Sequence, residues 1–173
     1  MHELDWPGFG LEPLDGPKVC ISASDRDRSW VDRLQRHLEP IVSRVMTFDY
    51  WDKVYFTSDS QRRDMFDRVL AFAAVVVPLV TVDYLASRFV VDEMLPMLME
   101  RARRGDLLIL PVIVGPSRFE RTPLARFPAA NSPSSPLTGK SKMEQEAVLA
   151  NVARSVARYL GASTVGLEGR SVL

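Results

Sequence analysis

The fold is decided by the stretch Val75-Val76-Val77-Pro78-Leu79-Val80, the strongest strand candidate in the chain. Its apolar residues follow one another without alternation, which is typical of a central strand covered on both faces in a parallel sheet. Pro78 conflicts with that position, because a central strand can rarely lose a backbone donor. The stretch therefore predicts a central strand with one irregular position.

Apolar runs and amphipathic stretches alternate on both sides of this strand. Short apolar runs predict further strands at 19–21, 45–48 and 107–114. Five prolines between positions 116 and 136 leave at most a short edge strand near Arg126–Phe127. Helical spacing of apolar residues predicts helices at about 30–38, 65–70, 87–104 and 143–160. This order predicts an α/β fold with a mostly parallel sheet and helices on both faces.

Length and composition favour one soluble domain. The chain has 173 residues, of which 46% are hydrophobic and 25% charged, the balance of an ordinary globular protein. Lys+Arg and Asp+Glu both number 22, so the net charge of zero argues against general binding to nucleic acid or to an anionic membrane. The longest apolar run, Ala71 to Val82, is too short to span a bilayer. A single cysteine, Cys20, and an acidic start favour a cytoplasmic location.

Three segments are expected along the chain. Residues 1–17 contain several glycines and prolines and are expected to form an irregular arm. Residues 18–160 contain all the predicted strands and helices and are expected to form the domain. Residues 161–173 are mostly small and polar, so a flexible tail is expected there.

Several chemistries need motifs that this sequence lacks. No phosphate-binding loop of the P-loop or dinucleotide type follows the first strand, where Ser22-Ala23-Ser24-Asp25 stands instead. His2 and His37 lie in the arm and on the first helix, whereas a catalytic triad or a histidine metal site would need them near the strand ends. A phospho-receiver domain needs an aspartate after its third strand, and here Thr81 follows. No metal site is expected.

Glu93 is the carboxylate best placed for chemistry. Ligands of parallel α/β sheets bind beyond the carboxyl ends of the strands, and Glu93 lies about one and a half turns into the helix after the central strand. Phe89 is four residues earlier and shares its helical face. Pro96 deprives the Asp92 carbonyl of its helical partner, so the helix can bend just past Glu93. On periodicity alone, the alternative is a solvated glutamate on an amphipathic helix.

From Lys18 to about Leu160 the chain resembles a Toll/interleukin-1 receptor (TIR) domain of the bacterial type. Cys20-Ile21-Ser22-Ala23-Ser24 is similar to the first-strand box of that family, and Phe48-Asp49-Tyr50-Trp51-Asp52 to the start of the loop after its second strand. Residues 82–94 resemble the family's S-x-x-Y-x-x-S and W-C-x-x-E-L segment, and Leu110-Pro111-Val112-Ile113 resembles its fourth-strand I-L-P-V box. The order and spacing of the four segments together are specific.

The resemblance implies a flavodoxin-like three-layer sandwich with a five-stranded parallel sheet of order 2-1-3-4-5. It also implies one of two functions. The first is cleavage of the nicotinamide–ribose bond of NAD+, which is then the substrate rather than a cofactor, to a linear or cyclic product. The second is a non-catalytic module that assembles with other TIR domains. The catalytic glutamate of the family falls on Glu93, and the positions expected to line or cover the substrate are Ser22, Ala23, Ser24, Asp49, Trp51 and Phe89.

The sequence departs from the family pattern at positions near the expected site. Ala23 replaces the tyrosine of the first box, and Phe89 and Val90 replace the tryptophan and cysteine before the glutamate. The loop after the second strand has Val54-Tyr55-Phe56-Thr57-Ser58 in place of a Pro-Gly pair. These changes leave Glu93 in place, but they keep the non-catalytic function open as the alternative.

Overall fold

The structure, a computed structural model, describes residues 18–41, 45–47 and 73–168. The predicted arm at 1–17, the helix predicted at 65–70, and Asp49 and Trp51 lie outside these ranges. The strands are β1 (Lys18–Ser22), β2 (Val45–Thr47), β3 (Ala73–Val80), β4 (Leu108–Ile109) and β5 (Val112–Ile113). The helices are α1 (Arg28–Leu38), α2 (Val82–Ala86), a π turn (Phe89–Met94), α3 (Leu95–Arg104) and α4 (Lys142–Glu168).

The strands form one parallel sheet with β3 at its centre. The order is β2-β1-β3-β4, and β5 also pairs with β3. Val75 faces Leu108 and Leu79 faces Val112, with the same offset, so β4 and β5 are two halves of the fourth strand predicted at 107–114. The prediction of a parallel sheet with a central third strand is therefore confirmed.

Pro78 explains why the fourth strand is divided. Leu110 N donates to Val76 O and Val114 N donates to Val80 O, each at 3.0 Å, so the even-numbered residues of β3 direct their backbone groups toward the fourth strand. Pro78 lies midway between these two contacts and has no N–H to donate. The pairing is interrupted at this level, at Leu110–Pro111.

Helices cover both faces of the sheet, because the side chains of each strand alternate between two buried clusters. On one face, Val19 and Ile21 of β1 join Val75, Val77 and Leu79 of β3 in a cluster with α1 and α4. On the other face, the cluster joins α2, the π turn and α3 to the remaining strand residues, which include Cys20, Val76, Val80, Ile109 and Ile113. These two clusters establish the three layers that the sequence predicts.

The edge strand predicted near Arg126–Phe127 is wrong. The structure has a 3-10 helix at Pro123–Arg126 instead, and no strand forms within residues 114–141, all of which are described. The outer edge of the fourth strand is satisfied by other means: Ala130 N donates to Pro111 O, and the Asn131 side chain both accepts from Ile113 N and donates to Ile113 O at 2.9 Å. An amide side chain therefore replaces the backbone of a fifth strand.

The last helix begins at a capping box and is longer than predicted. Ser141 and Glu144 exchange hydrogen bonds between side chain and backbone, which satisfies two free N–H groups of the first turn. The helix continues to Glu168, past the predicted end at Leu160. None of the helices in the described ranges is long and apolar enough to cross a membrane.

A charged cluster fastens α1 to α4. The Arg33 guanidinium donates to Glu146 Oε1 and to Gln145 Oε1, and it stacks 4.5 Å from the Trp30 ring centroid. His37 Nε2 shares a hydrogen bond with Glu146 Oε2 at 2.7 Å. The bonds from His37 and Arg33 lower the pKa of Glu146 below its ordinary value.

We expect Glu146→Gln to lower the free energy of unfolding at pH 7 by about 0.5–1 kcal/mol, the value of a partly exposed charge network. A carboxylate whose pKa is lowered by folding stabilises the protein above the unfolded-state pKa and loses this effect as the pH falls through the folded-state value. The difference between wild type and variant should therefore decrease as the pH falls below the ordinary glutamate pKa of about 4.3. Urea unfolding across pH 3–7 measures it, with exposed Glu120→Gln as control. A constant difference over this range would contradict the assignment.

Candidate functional site

The sheet topology places a crevice between the carboxyl ends of β1 and β3. The chain leaves β1 for β2 on one side and reaches β3 on the other, so the strand order reverses between these two strands. In open parallel sheets such a reversal point is where ligands bind. The residues that follow β1 begin at Ala23, and the residue that follows β3 is Thr81. We call this region the switch-point crevice.

Ser24 shapes the β1 side of the crevice. It caps a short 3-10 helix, Asp25–Asp27: Arg26 N donates to Ser24 Oγ at 3.4 Å and Asp27 N donates to Ser24 O at 2.9 Å. Ala23 is half-buried and packs against the cluster beneath α1. The segment after β1 is therefore a capped turn.

Asp27 and Thr81 connect the two sides of the crevice. Thr81 Oγ1 donates to Asp27 Oδ2 at 2.6 Å and accepts from Tyr84 N at 3.1 Å, so one hydroxyl caps α2 and contacts the turn after β1. Burial raises the pKa of Asp27, and the nearby Asp83 and Asp25 add to that effect, while the bond from Thr81 opposes it. Sequence reasoning missed this pair, although both residues stand in the turns that follow the two strands.

We expect Asp27→Asn to stabilise the protein at pH 7. A carboxyl group whose pKa is raised by folding destabilises the folded state once the pH exceeds the unfolded-state pKa, because its charge is then disfavoured by burial. The amide keeps an oxygen to accept from Thr81 and carries no charge. In thermal unfolding, the melting temperature of Asp27→Asn should be higher than that of wild type at pH 7 and equal to it near pH 3. Thr81→Val, which removes the hydrogen-bond donor to Asp27, is the control variant. A less stable Asp27→Asn protein at pH 7 would contradict this interpretation.

Below the crevice, three buried side chains form a hydrogen-bonded chain. Ser22 Oγ lies 3.0 Å from Tyr84 Oη and donates to Met94 Sδ at 3.3 Å. Ser22 is 2% exposed, Tyr84 is not exposed and Met94 is 1% exposed. This buried chain, as we name it, links the last residue of β1 to α2 and to the π turn.

The helix that carries Glu93 differs from the prediction in its first part. The sequence predicted one helix at about 87–104, whereas the structure has a π turn, Phe89–Met94, followed by α3. Leu95 N donates to Val90 O, five residues back, which defines the π geometry. The turn stands directly before Pro96, whose missing N–H already disturbs the helical pattern there. Such single π turns occur frequently at functional sites.

Glu93 and Phe89 lie on one flank of this helix. Both are half-buried, as is Met97 four residues further on, whereas Val91 and Asp92 are exposed. Phe89 packs against the cluster under α2 and α3. The residue after Glu93 is Met94, which contacts Ser22 at the end of β1. Glu93 is therefore adjacent in sequence to a side chain that reaches the carboxyl end of that strand.

The structure brings some of the predicted site residues together. Ser22, Ala23 and Ser24 follow one another at the end of β1, and Ser22 is connected through Met94 to the turn that carries Phe89 and Glu93. Asp49 and Trp51 belong to the part of the chain that is not described, so their roles stay predictions. Tyr84 stands at the tyrosine of the S-x-x-Y-x-x-S segment. Its internal place in the S-x-x-Y pattern was the available signal for a buried role.

The described residues offer no obvious ligand set for a metal ion. Within these ranges, no three His, Cys, Asp or Glu side chains are grouped so that they could hold one. Cys20 is fully buried in β1, and burial raises the pKa of its thiol well above the ordinary value. A thiol in that setting is a packing group rather than a nucleophile.

The fold and the crevice define a parallel three-layer α/β domain with polar groups at its switch point. A family model described as "TIR domain" matches residues 19–147, which is most of the chain. The chain therefore belongs to the TIR domain family, as the sequence motifs indicated. Among curated proteins, none matches it.

Proposed function

We propose that this TIR domain is an NAD+ nucleosidase of the bacterial type that cleaves the bond between nicotinamide and ribose. The observation that carries the proposal is the position of Glu93. Glu93 is the half-buried carboxylate on the π turn after the central strand. Its neighbour Met94 accepts a hydrogen bond from Ser22 at the end of β1. The residue also matches the glutamate of the family motif in a chain that belongs to the family.

The chemistry requires little more than one well-placed carboxylate. Nicotinamide in NAD+ is cationic, so when the bond to C1′ of the ribose breaks, the electron pair goes to the ring nitrogen and neutral nicotinamide leaves without a general acid. The ribose then resembles an oxocarbenium ion, as in glycoside hydrolysis. Glu93 would hold the ribose hydroxyls and stabilise this positive charge. Water then adds to C1′ and releases a proton, which gives ADP-ribose. Attack on C1′ by a nucleophile elsewhere in the same ADP-ribosyl cation, with loss of a proton, would instead give a cyclic ADP-ribose.

The other candidate residues would complete the pocket around the ribose and the ring. Phe89, on the flank of Glu93, would pack on the flat ring and shield it from water. Ala23 and Ser24 would line the β1 side of the crevice, with Ser22 below them, and Asp49 and Trp51 would cover it from the loop after β2.

We expect Glu93→Gln and Glu93→Ala to lower the rate of nicotinamide release by about 10²–10³-fold, the usual effect of removing one electrostatic stabiliser. The measurement incubates purified protein with NAD+ at high protein concentration, including crowded conditions that favour assembly, and quantifies free nicotinamide. Asp92→Asn is the matched control, because this exposed carboxylate is adjacent in sequence on the same turn. Equal rates for wild type and both Glu93 variants would contradict the proposal.

The alternative is a non-catalytic module that binds other TIR domains in signal transduction. Its support includes two exposed apolar side chains, Val82 at 65% and Val91 at 43%. The replacement of the box-one tyrosine by Ala23 also favours it. Sedimentation velocity of wild type, Val82→Ser and Glu93→Ala separates the two functions. Self-association that Val82→Ser abolishes and Glu93→Ala leaves intact, without NAD+ turnover, would favour the module.

A cytoplasmic role in bacterial immune signalling would suit either function. In the catalytic case, assembly with other TIR domains would accompany activation, and the balance of 22 basic and 22 acidic residues leaves no large net charge to oppose it.

A further inference from the structure

The buried chain of Tyr84, Ser22 and Met94 has a defined direction. Ser22 Oγ lies within hydrogen-bonding distance of both Tyr84 Oη and Met94 Sδ. A thioether sulfur can only accept, so the single hydroxyl hydrogen of Ser22 is donated to Met94. Tyr84 must therefore donate its own hydrogen to Ser22. The order is Tyr84 to Ser22 to Met94, and each donor has one acceptor.

The buried chain adds directional contacts between three elements that also pack in one apolar cluster. Tyr84 belongs to α2, Ser22 ends β1, and Met94 ends the π turn. Between Tyr84 and Met94 the backbone changes its pattern: Val91 N donates four residues back to Ser87 O, whereas Leu95 N donates five residues back to Val90 O. One extra residue is accommodated in this interval.

The helical pattern of this interval affects where Glu93 lies relative to β1. One residue corresponds to about 100° of rotation around an α-helix. If the π turn relaxed to α geometry, the residues before it and the helix after it would rotate relative to each other by up to that order. Glu93 lies near the end of the turn, so a change of pattern there would move it relative to α2 and β1. Holding Tyr84 and Met94 to the same serine opposes this relaxation.

We propose that Tyr84 and Ser22 are positioning residues, which hold the π turn in its register against β1 and thereby keep Glu93 at the switch-point crevice. This inference rests on the proposed function for its effect on catalysis, but not for its effect on the turn. Tyr84 has no solvent-exposed surface, so it cannot touch a substrate in this conformation and its effect must pass through its neighbours. Burial also raises the pKa of its hydroxyl, so the donor keeps its proton throughout the physiological range.

The test is Tyr84→Phe, which removes one oxygen and keeps the ring. We expect kcat for nicotinamide release to fall about 10-fold while KM for NAD+ changes less than 2-fold, because the loss concerns the placement of Glu93 rather than the affinity of the crevice. Ser22→Ala should give a similar loss of kcat. The loss of kcat in the double variant should be no greater than in the more affected single variant, because both substitutions break the same buried chain.

A matched control separates positioning from general loss of stability. Val156 is buried in the opposite cluster, between α4 and the sheet, so Val156→Ala destabilises the fold without touching the buried chain. The two proteins are compared at temperatures equally far below their melting points. If Val156→Ala lowers kcat as much as Tyr84→Phe does, the positioning role is overturned.

Hydrogen exchange gives a readout that does not need turnover. In Tyr84→Phe, amides of residues 90–95 should exchange at least 5-fold faster than in wild type, whereas amides of α4 should be unchanged; Val156→Ala should show the reverse pattern. If the wild type does not cleave NAD+ but the variants show this exchange pattern, the proposed function is overturned and the positioning of the turn stands. An active wild type without faster exchange at 90–95 would overturn the positioning role alone.

Discussion

Parallel pairing of β1 with β3 is the constraint on which the rest of the structure depends. The two strands pair from Lys18–Ala73 to Ser22–Pro78, so their carboxyl ends finish side by side in the middle of the sheet. Both strands are covered on both faces, which fixes the register, because a slip of one residue would exchange the two buried clusters. The polar contacts that cross the switch-point crevice follow from this pairing, since the bonds Thr81–Asp27 and Tyr84–Ser22 each join a residue after β3 to a residue after β1 or to its last residue.

The sheet accommodates Pro78 in its central strand by interrupting the pairing with one neighbouring strand. Its missing donor is directed toward the fourth strand, where the pairing is interrupted, while Ser22 on the other side keeps its place opposite the proline. The backbone of Pro111 faces the other way, toward the outer edge of the sheet. A missing donor is tolerated there, and the Pro111 carbonyl accepts a hydrogen bond from Ala130 N. The divided strand is therefore a consequence of two prolines whose backbones face different neighbours.

The sequence was sufficient to predict the layers of the fold, but not the turns between its strands and helices. Unbroken apolar runs at 19–21, 75–80 and 107–114 predicted the buried strands, because burial on two faces leaves no other pattern. The π turn was not predictable from periodicity, since Val90, Met94 and Leu98 fit an α-helix equally well, and only the disturbance at Pro96 indicated an irregularity. The replacement of a fifth strand by Asn131 depends on a side-chain amide matching one residue of backbone, which no local pattern reveals. The role of Tyr84 depends on two partners far away in sequence.

Two sets of hydrogen bonds meet at the crevice, and their burial gives them different roles. The chain through Tyr84, Ser22 and Met94 is at most 2% exposed, so breaking it leaves polar groups unpaired in a region that water does not reach. The bond between Asp27 and Thr81 is only partly buried, and Asp27 itself is half-buried, so its carboxylate can bond to water or to a ligand hydroxyl instead. If the crevice binds a ligand as proposed, the contact between Asp27 and Thr81 would be the easier one to exchange, and the buried chain would stay intact. The proposed site would then admit a ligand without moving the turn that carries Glu93.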